Sequence, residues 1–346
     1  MLTELRLFFI LPDIFYSRVP CYLYSLSGCQ LTVVITSEFP MSIALIIPDR
    51  KLDDLCQQLQ HALPDTRIEI WPELNEPADV EFAVVWKQPF GCLNGLVNLK
   101  AIQCFGAGVD AILADPTLPD LPVSRIVDPA LTEAMVRYLD GVVSYYRLQL
   151  DVFSRQQQQA LWRPKSPRKL RQLTILGLGE LGSAAARHFT QRGYQVSGWA
   201  RSAKSLPGVQ CFAGDEQLSP AVAAADVIIC LLPLTPATDN RLGQHFFQLL
   251  KPGAIFINVA RGAIVDETAL LLALQHGPLA AACLDVFRQE PLPADSPLWQ
   301  QPALLITPHV SAVTNVSSVV SQIAENYRRS QQGLNLINPV NRVKGY

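Results

Sequence analysis

Short apolar runs alternate with stretches of helical periodicity, beginning near position 41. Between positions 41 and 132, apolar runs predict strands over 43–47, 67–71, 82–86, 99–105 and 124–127. Between the first two strands, Leu52, Leu55, Leu59 and Ala62 recur at helical spacing and predict a helix over 51–62. Strands that alternate with helices indicate a parallel sheet covered on both faces.

The same alternation predicts a second unit further along the chain. A long helix over 132–146, capped by Thr132, leads into a polar and proline-rich connection over 156–168. Six strands are then predicted over 173–176, 195–199, 227–231, 254–259, 280–284 and 303–306. A last helix is predicted over 315–332. We therefore expect an α/β protein with two parallel-sheet domains.

The first forty residues do not fit this pattern. Their apolar run over 5–11 is short, and proline and charged residues interrupt the stretch over 12–20. A signal peptide needs a basic start and a longer apolar region, and the small residues at 25–28 are a weak cleavage site. We interpret residues 1–40 as an extraneous or disordered extension that precedes a domain starting at Met41. The alternative is a native arm that packs on that domain.

Composition narrows the class of protein. The chain has 49% hydrophobic and 17% charged residues, which is typical of a compact globular protein. Its net charge of -2 gives no reason to expect broad binding to nucleic acid or to anionic membranes. No apolar run reaches the length of a membrane span.

The cysteines and histidines do not indicate a metal or a disulfide framework. None of the 8 cysteines forms a C-x-x-C pair, and the 5 histidines do not cluster with carboxylates at ligand spacing. We expect no metal, and reduced thiols in a cytoplasmic enzyme.

A dinucleotide-binding fingerprint follows the first strand of the second unit. Gly177, Gly179 and Gly182 form G-x-G-x-x-G between a predicted strand and a helix. In such a motif the first glycine permits the turn, the second admits the pyrophosphate, and the third allows close helix packing. The helix N-terminus then offers free N–H groups to the phosphates. The alternative is a tight strand–helix turn in a cofactor-free protein.

The end of the next strand indicates which dinucleotide is bound. NAD enzymes place a carboxylate there to bind the ribose hydroxyls. Here Arg201, Ser202 and Lys204 follow the strand, and the first carboxylate is Asp215. Cationic and hydroxyl groups suit a 2′-phosphate, so we expect NADP, with NADPH preferred over NADH. The alternative is a solvated basic loop.

Three residues that suit reduction of a keto acid follow consecutive predicted strands. Arg261, Glu290 and His309 each lie just past a strand end, where ligands bind in open α/β sheets. Arg261 can grip a carboxylate, His309 can donate a proton, and Glu290 can hold the imidazole in its charged form. Taken singly, each could be structural or solvated. Together they predict a catalytic set.

At these residues the chain resembles the D-2-isomer-specific 2-hydroxyacid dehydrogenases, and within them it looks like the bacterial glyoxylate/hydroxypyruvate reductases of the A type. The similar segments are 105–110, 177–182, 201–209, 232–238, 260–262, 290–293, 296–299, 307–310 and 345–346. The resemblance implies a Rossmann domain over 133–310 inserted in a flavodoxin-like substrate domain over 41–132 and 311–346. It also implies a homodimer.

The resemblance assigns further residues to the site. It places the substrate against Trp86, Gly106, Ala107 and Gly108, with N–H groups of the glycine loop on the substrate carboxylate. It adds cofactor contacts to those derived above, at Glu180, Leu181, Pro233, Thr238, Ala260 and Asp285. The segment Trp86-Lys87-Gln88-Pro89 departs from the W-x-P-P pattern of this subgroup, which bears on substrate range.

The activity implied is NADPH-dependent reduction of glyoxylate to glycolate and of hydroxypyruvate to D-glycerate, with His309 as proton donor. One alternative is a phosphoglycerate or D-lactate dehydrogenase. The basic loop and the lack of a C-terminal regulatory domain argue against this alternative. Another is a non-catalytic protein that senses NAD(P). The presence of Arg261, Glu290 and His309 together favours the enzyme.

Overall fold

The computed structural model describes residues 41–48 and 50–346. The interpretation of residues 1–40 lies outside these residues. The strands are β1 (Ser42–Ile46), β2 (Arg67–Ile70), β3 (Val80–Val85), β4 (Ala101–Cys104), β5 (Val123–Ser124), β6 (Gln172–Leu176), β7 (Gln195–Ala200), β8 (Val209–Ala213), β9 (Val227–Cys230), β10 (Ala254–Asn258), β11 (Leu279–Leu284) and β12 (Leu304–Ile306). The helices are α1 (Asp53–Ala62), α2 (Asp110–Leu113), α3 (Pro129–Arg147), α4 (Leu150–Gln158), α5 (Glu180–Gln191), α6 (Leu218–Val222), α7 (Gln244–Gln248), α8 (Glu267–Gln275) and α9 (Val316–Gln331).

Two separate parallel sheets confirm the predicted α/β fold. The first has the strand order β2-β1-β3-β4-β5, which is the flavodoxin-like order. The second has the order β12-β11-β10-β9-β6-β7-β8. Counted from β6 as strand 1, its core is the Rossmann order 3-2-1-4-5-6, with β12 added at one edge.

Helices from distant parts of the chain cover the two sheets. α9, near the C-terminus, packs with α1 on the first sheet, where Ile323 and Tyr327 share a core with Leu55 and Leu59. α3 packs against α5 on the second sheet. No helix in the described ranges is both long and apolar enough to cross a membrane.

Three local predictions were wrong. Asp128, not Thr132, caps α3: its carboxylate accepts the N–H groups of Ala130 and Leu131, and Pro129 begins the helix. α4 extends into the glutamine run that was expected to be a connection. β8 was not predicted, because it is a partly exposed edge strand without a continuous apolar run. Other limits moved by a few residues, as at β5.

Candidate active site

A cleft of about 660 Å³ lies between the two sheets. Its lining residues follow the carboxyl ends of strands in both of them: Lys87 follows β3, Gly106 follows β4, Gly177 follows β6 and Arg261 follows β10. This is where open α/β sheets bind ligands, and the volume suits a cofactor together with a small substrate.

The three fingerprint glycines have the roles that a dinucleotide cradle requires. Gly177 adopts φ +100°, and an ideal Cβ there would lie 2.6 Å from the carbonyl oxygen of Leu231. A Cβ at Gly182 would lie 1.8 Å from the carbonyl oxygen of Gly177, so the helix could not pack so closely. A Cβ at Gly179 would meet no atom within 4 Å, so the space beside it is open. Gly179 precedes α5, whose N-terminus has no side-chain cap, and the geometry fits a bound pyrophosphate.

The basic loop after β7 faces the same cleft. Arg201, Ser202 and Lys204 all line it. The nearby carboxylate of Asp215 is paired with Arg241 at 2.6 Å, which offsets its charge. The guanidinium of Arg241 in turn lies 5.1 Å from the ring centre of Trp199. A 2′-phosphate beside this loop would meet net positive charge.

His309 and Glu290 form a hydrogen-bonded pair in the cleft. Nδ1 of His309 lies 2.8 Å from Oε2 of Glu290, and Lys87 Nζ approaches the same oxygen at 3.7 Å. The N–H of Phe287 donates to Oε1 at 3.2 Å. Burial disfavours the charged form of Glu290, but these partners outweigh it, and the pKa of Glu290 is lowered. Glu290 is therefore ionised at neutral pH.

A buried carboxylate holds the loop that carries His309. Asp285 is fully buried and accepts the N–H groups of Val310 and Ser311, each at 2.9 Å. Thr307 Oγ1 donates to it at 2.6 Å. His309 itself has φ +54°, a left-handed conformation rarely adopted by non-glycine residues. Asp285, which the resemblance placed at the cofactor, thus has its contacts with this loop and does not line the cleft.

Arg261 is held beside the glycine loop that follows β4. Its Nε donates to Asp110 Oδ1 at 2.9 Å, and its Nη1 donates to the carbonyl oxygen of Ala260 at 2.7 Å. An ideal Cβ at Gly108 would lie 1.7 Å from Nη2 of Arg261. The guanidinium can therefore take this position only because residue 108 is a glycine.

Trp86 closes the other side of this loop. An ideal Cβ at Gly106 would lie 2.1 Å from the indole ring. Beneath the loop, Cys104 Sγ contacts the carbonyl oxygen of Gly108 at 3.1 Å. Burial raises the pKa of Cys104 to about 12, so this thiol is neutral and is not a nucleophile at ordinary pH.

The structure brings nearly all the predicted site residues to one cleft. Those that line it are Trp86, Gly106, Ala107, Gly108, Gly177, Gly179, Glu180, Leu181, Gly182, Arg201, Ser202, Lys204, Pro233, Thr238, Ala260, Arg261, Glu290 and His309. The sequence analysis did not name four charged residues that also line it: Arg50, Asp110, Arg125 and Arg241. Arg50 comes shortly after β1, the same signal that identified Arg261. Arg125 directly follows β5, but it fell inside the strand predicted over 124–127.

A cleft lined by both a dinucleotide cradle and an Arg, Glu and His set defines a two-domain NAD(P)-dependent dehydrogenase. Comparison with known proteins gives its family. Residues 143–311 match the NAD-binding domain of the D-isomer specific 2-hydroxyacid dehydrogenases. A glyoxylate/hydroxypyruvate reductase A from Serratia proteamaculans (strain 568) is 39% identical over 316 residues, covering 88% of this chain and 100% of that protein. The chain belongs to the D-isomer-specific 2-hydroxyacid dehydrogenase family.

Solved structures agree with this assignment. A D-isomer specific 2-hydroxyacid dehydrogenase from Xanthobacter autotrophicus Py2, in complex with NADPH and MES, is 37% identical with a TM-score of 0.85, covering 89% of this chain and 100% of that one. An NADPH-dependent glyoxylate/hydroxypyruvate reductase from Sinorhizobium meliloti, in complex with NADP and sulfate, is 30% identical with a TM-score of 0.82, covering 88% of this chain and 99% of that one. The overall fold and the Rossmann prediction are thereby confirmed.

Proposed function

We propose that this chain reduces glyoxylate to glycolate and hydroxypyruvate to D-glycerate with NADPH, and that Arg261, Glu290 and His309 carry the reaction. The names of the Serratia and Sinorhizobium relatives support the substrates. The observation that carries the proposal is the His309–Glu290 pair, 2.8 Å apart, in the same cleft as the glycine cradle and the basic loop.

Arg261 binds and orients the keto acid. Its Nε and Nη1 are engaged by Asp110 and Ala260, which fixes the guanidinium plane and leaves Nη2 beside Gly108. A substrate carboxylate can accept from Arg261 and from the N–H groups of Ala107 and Gly108. Charge-assisted bonds of this kind set both affinity and orientation.

His309 delivers the proton. NADPH, when bound, supplies the hydride to C2 of the keto acid. Glu290 accepts from Nδ1 of His309, which fixes the ring and leaves Nε2 for the keto oxygen. The ionised carboxylate stabilises the imidazolium, so the proton is available when negative charge develops on that oxygen. The balance is keto acid, NADPH and one proton to hydroxy acid and NADP⁺.

A turnover assay with a substrate panel tests the proposal. Glyoxylate and hydroxypyruvate should oxidise NADPH catalytically, and NADH should support a lower kcat/KM. A higher kcat/KM for pyruvate with NADH would instead indicate the D-lactate type. Tight NADPH binding without turnover of any 2-keto acid would indicate a non-catalytic sensor.

We also propose the domain limits and the homodimer that the resemblance implies, and the cytoplasmic location expected from the cysteines. The packing of α9 beside α1, and of α3 against α5, supports a substrate domain over 41–132 and 311–346 around a Rossmann domain over 133–310.

Exposed apolar side chains at Leu148, Leu150 and Trp162, the last 98% exposed, support a homodimer contact around α4. Light scattering should give twice the chain mass of 38.2 kDa, and a monomer would contradict it. Free, buried thiols such as Cys230 support a cytoplasmic location.

A further inference from the structure

The last eight residues, 339–346, form a strap that joins the two halves of the molecule. The strap begins on the first sheet, where the N–H of Val340 donates to the carbonyl oxygen of Val123 at 2.8 Å. Arg342 donates to the carbonyl oxygens of Pro119 and Leu121. The strap therefore starts as part of the domain that is expected to bind the substrate.

The strap ends on the Rossmann half. Gly345 has φ +79°, and an ideal Cβ there would lie 2.8 Å from Cγ2 of Thr235, in the loop that follows β9. A turn fixes this end, because Gly345 N–H donates to the Asn341 carbonyl at 2.9 Å and Asn341 N–H donates to the Tyr346 carbonyl at 3.1 Å. The terminal side chain is thus held in a definite place.

Tyr346 makes two contacts with Arg201. The guanidinium of Arg201 donates from Nη2 to the hydroxyl of Tyr346 at 2.9 Å, and its Cζ lies 5.2 Å from the ring centre. Both residues line the cleft, and Tyr346 remains 41% exposed. An arginine has five N–H donors, so the single hydrogen bond to Tyr346 leaves donors for a 2′-phosphate.

We propose that Tyr346 is a positioning residue for NADPH, which holds Arg201 ready for the 2′-phosphate and so increases the preference for NADPH over NADH. This rests on the proposed role of Arg201. A free arginine on an exposed loop loses much rotamer freedom when it binds a phosphate. Tyr346 imposes that order before the cofactor arrives, so less is lost on binding. Because the strap is anchored on the first sheet, cofactor preference depends on a residue outside the Rossmann fingerprint.

Calorimetric dissociation constants for NADPH and NADH test this without relying on turnover. Tyr346→Leu should weaken NADPH binding roughly three- to tenfold, as expected for losing one cation–π contact and one hydrogen bond. Its NADH affinity should stay the same. Tyr346→Phe should show part of the NADPH loss, because it keeps the ring. Val343→Ala, at a position 97% exposed in the same strap, is the matched control and should change neither constant.

Arg201→Ala separates the two proposals. If Arg201 reads the 2′-phosphate, this variant loses affinity for NADPH and not for NADH, and adding Tyr346→Leu to it causes no further loss. An equal loss of affinity for NADPH and NADH in Arg201→Ala would overturn the role of Arg201 itself. Suppose that Arg201→Ala weakens the binding of NADPH alone. The role of Tyr346 would then be overturned if Tyr346→Leu weakened NADPH and NADH equally, or if its loss of NADPH affinity added fully to that of Arg201→Ala.

Discussion

Glu290 Oε2 lies 2.8 Å from Nδ1 of His309 on one side and 3.7 Å from Nζ of Lys87 on the other. His309 and Glu290 come from the second half of the fold, while Lys87 follows a strand of the first. One carboxylate therefore links the proposed proton donor to the opposite wall of the cleft. Its lowered pKa keeps it ionised at neutral pH.

Glu290→Gln should move the alkaline limb of kcat/KM for keto-acid reduction to lower pH. A carboxylate hydrogen-bonded to an imidazole favours its charged form, whereas the amide of glutamine keeps a hydrogen bond but not the charge. The measurement is a pH–rate profile with saturating NADPH. Lys87→Met is the control, because it removes the cation 3.7 Å from the same carboxylate oxygen and leaves His309 in place. It should move the alkaline limb to higher pH or leave it unchanged. An unchanged alkaline limb in Glu290→Gln would mean that the limb reports another group.

The same carboxylate makes a pH-dependent contribution to folding stability. Its pKa is lowered in the folded state, so its stabilising contribution is present above the unfolded value of about 4.3 and is lost as pH falls through the folded value. Wild type should therefore exceed Glu290→Gln in free energy of unfolding at about pH 6, and the difference should shrink in acid. Urea titrations of both proteins, at about pH 6 and in acid, measure this difference. A difference that widens on acidification would contradict the direction of the shift.

Gly108→Ala should displace Arg261 and weaken the binding of the keto acid more than the binding of NADPH. The added Cβ would sit 1.7 Å from Nη2 of Arg261, so the guanidinium must leave its place. We expect higher KM and lower kcat, as for Arg261→Ala, because the carboxylate is bound in both ground and transition states. Gly95→Ala, where a Cβ meets nothing within 4 Å, is the matched control. Wild-type kinetics in Gly108→Ala would show that Arg261 need not hold its observed position.

Gly179→Ala should fold as wild type but bind NADPH poorly. Within the protein the added methyl group meets nothing within 4 Å, so no packing reason for destabilisation exists. The open space is where the fingerprint places the pyrophosphate, and a methyl group there would obstruct it. Thermal unfolding and NADPH titration together make the measurement. An unchanged NADPH Kd would argue that the dinucleotide does not approach Gly179.

The sequence predicted the second sheet and its site correctly where burial, glycine spacing or the position of a strand end left a pattern in the residues. β9 and β10 are completely buried, so β9 and all of β10 before Asn258 appear as continuous apolar runs, and the glycine spacing identified the cradle. Arg261, Glu290 and His309 were found because parallel strands place their following loops at one edge. β8 was missed because an exposed edge strand need not be apolar.

Contacts between distant segments could not be derived in this way. The pairing of Arg261 with Asp110 joins residues 151 positions apart, and that of Arg201 with Tyr346 joins residues 145 apart. Asp285 was placed at the cofactor by the resemblance, since nothing in its neighbours shows that its carboxylate accepts the N–H groups of Val310 and Ser311. The two long-range pairings depend on how the two halves of the fold meet, which local patterns do not encode.

The single-turnover rate of NADPH oxidation by glyoxylate, compared between wild type and His309→Gln, tests the central claim most directly. The substitution keeps a polar side chain but removes the titratable proton donor. With saturating NADPH, the account predicts a fall on the order of 10²–10⁴-fold with an unchanged NADPH Kd. A variant rate within about tenfold of wild type would contradict His309 as the proton donor, because general acid catalysis contributes at least about 10²-fold.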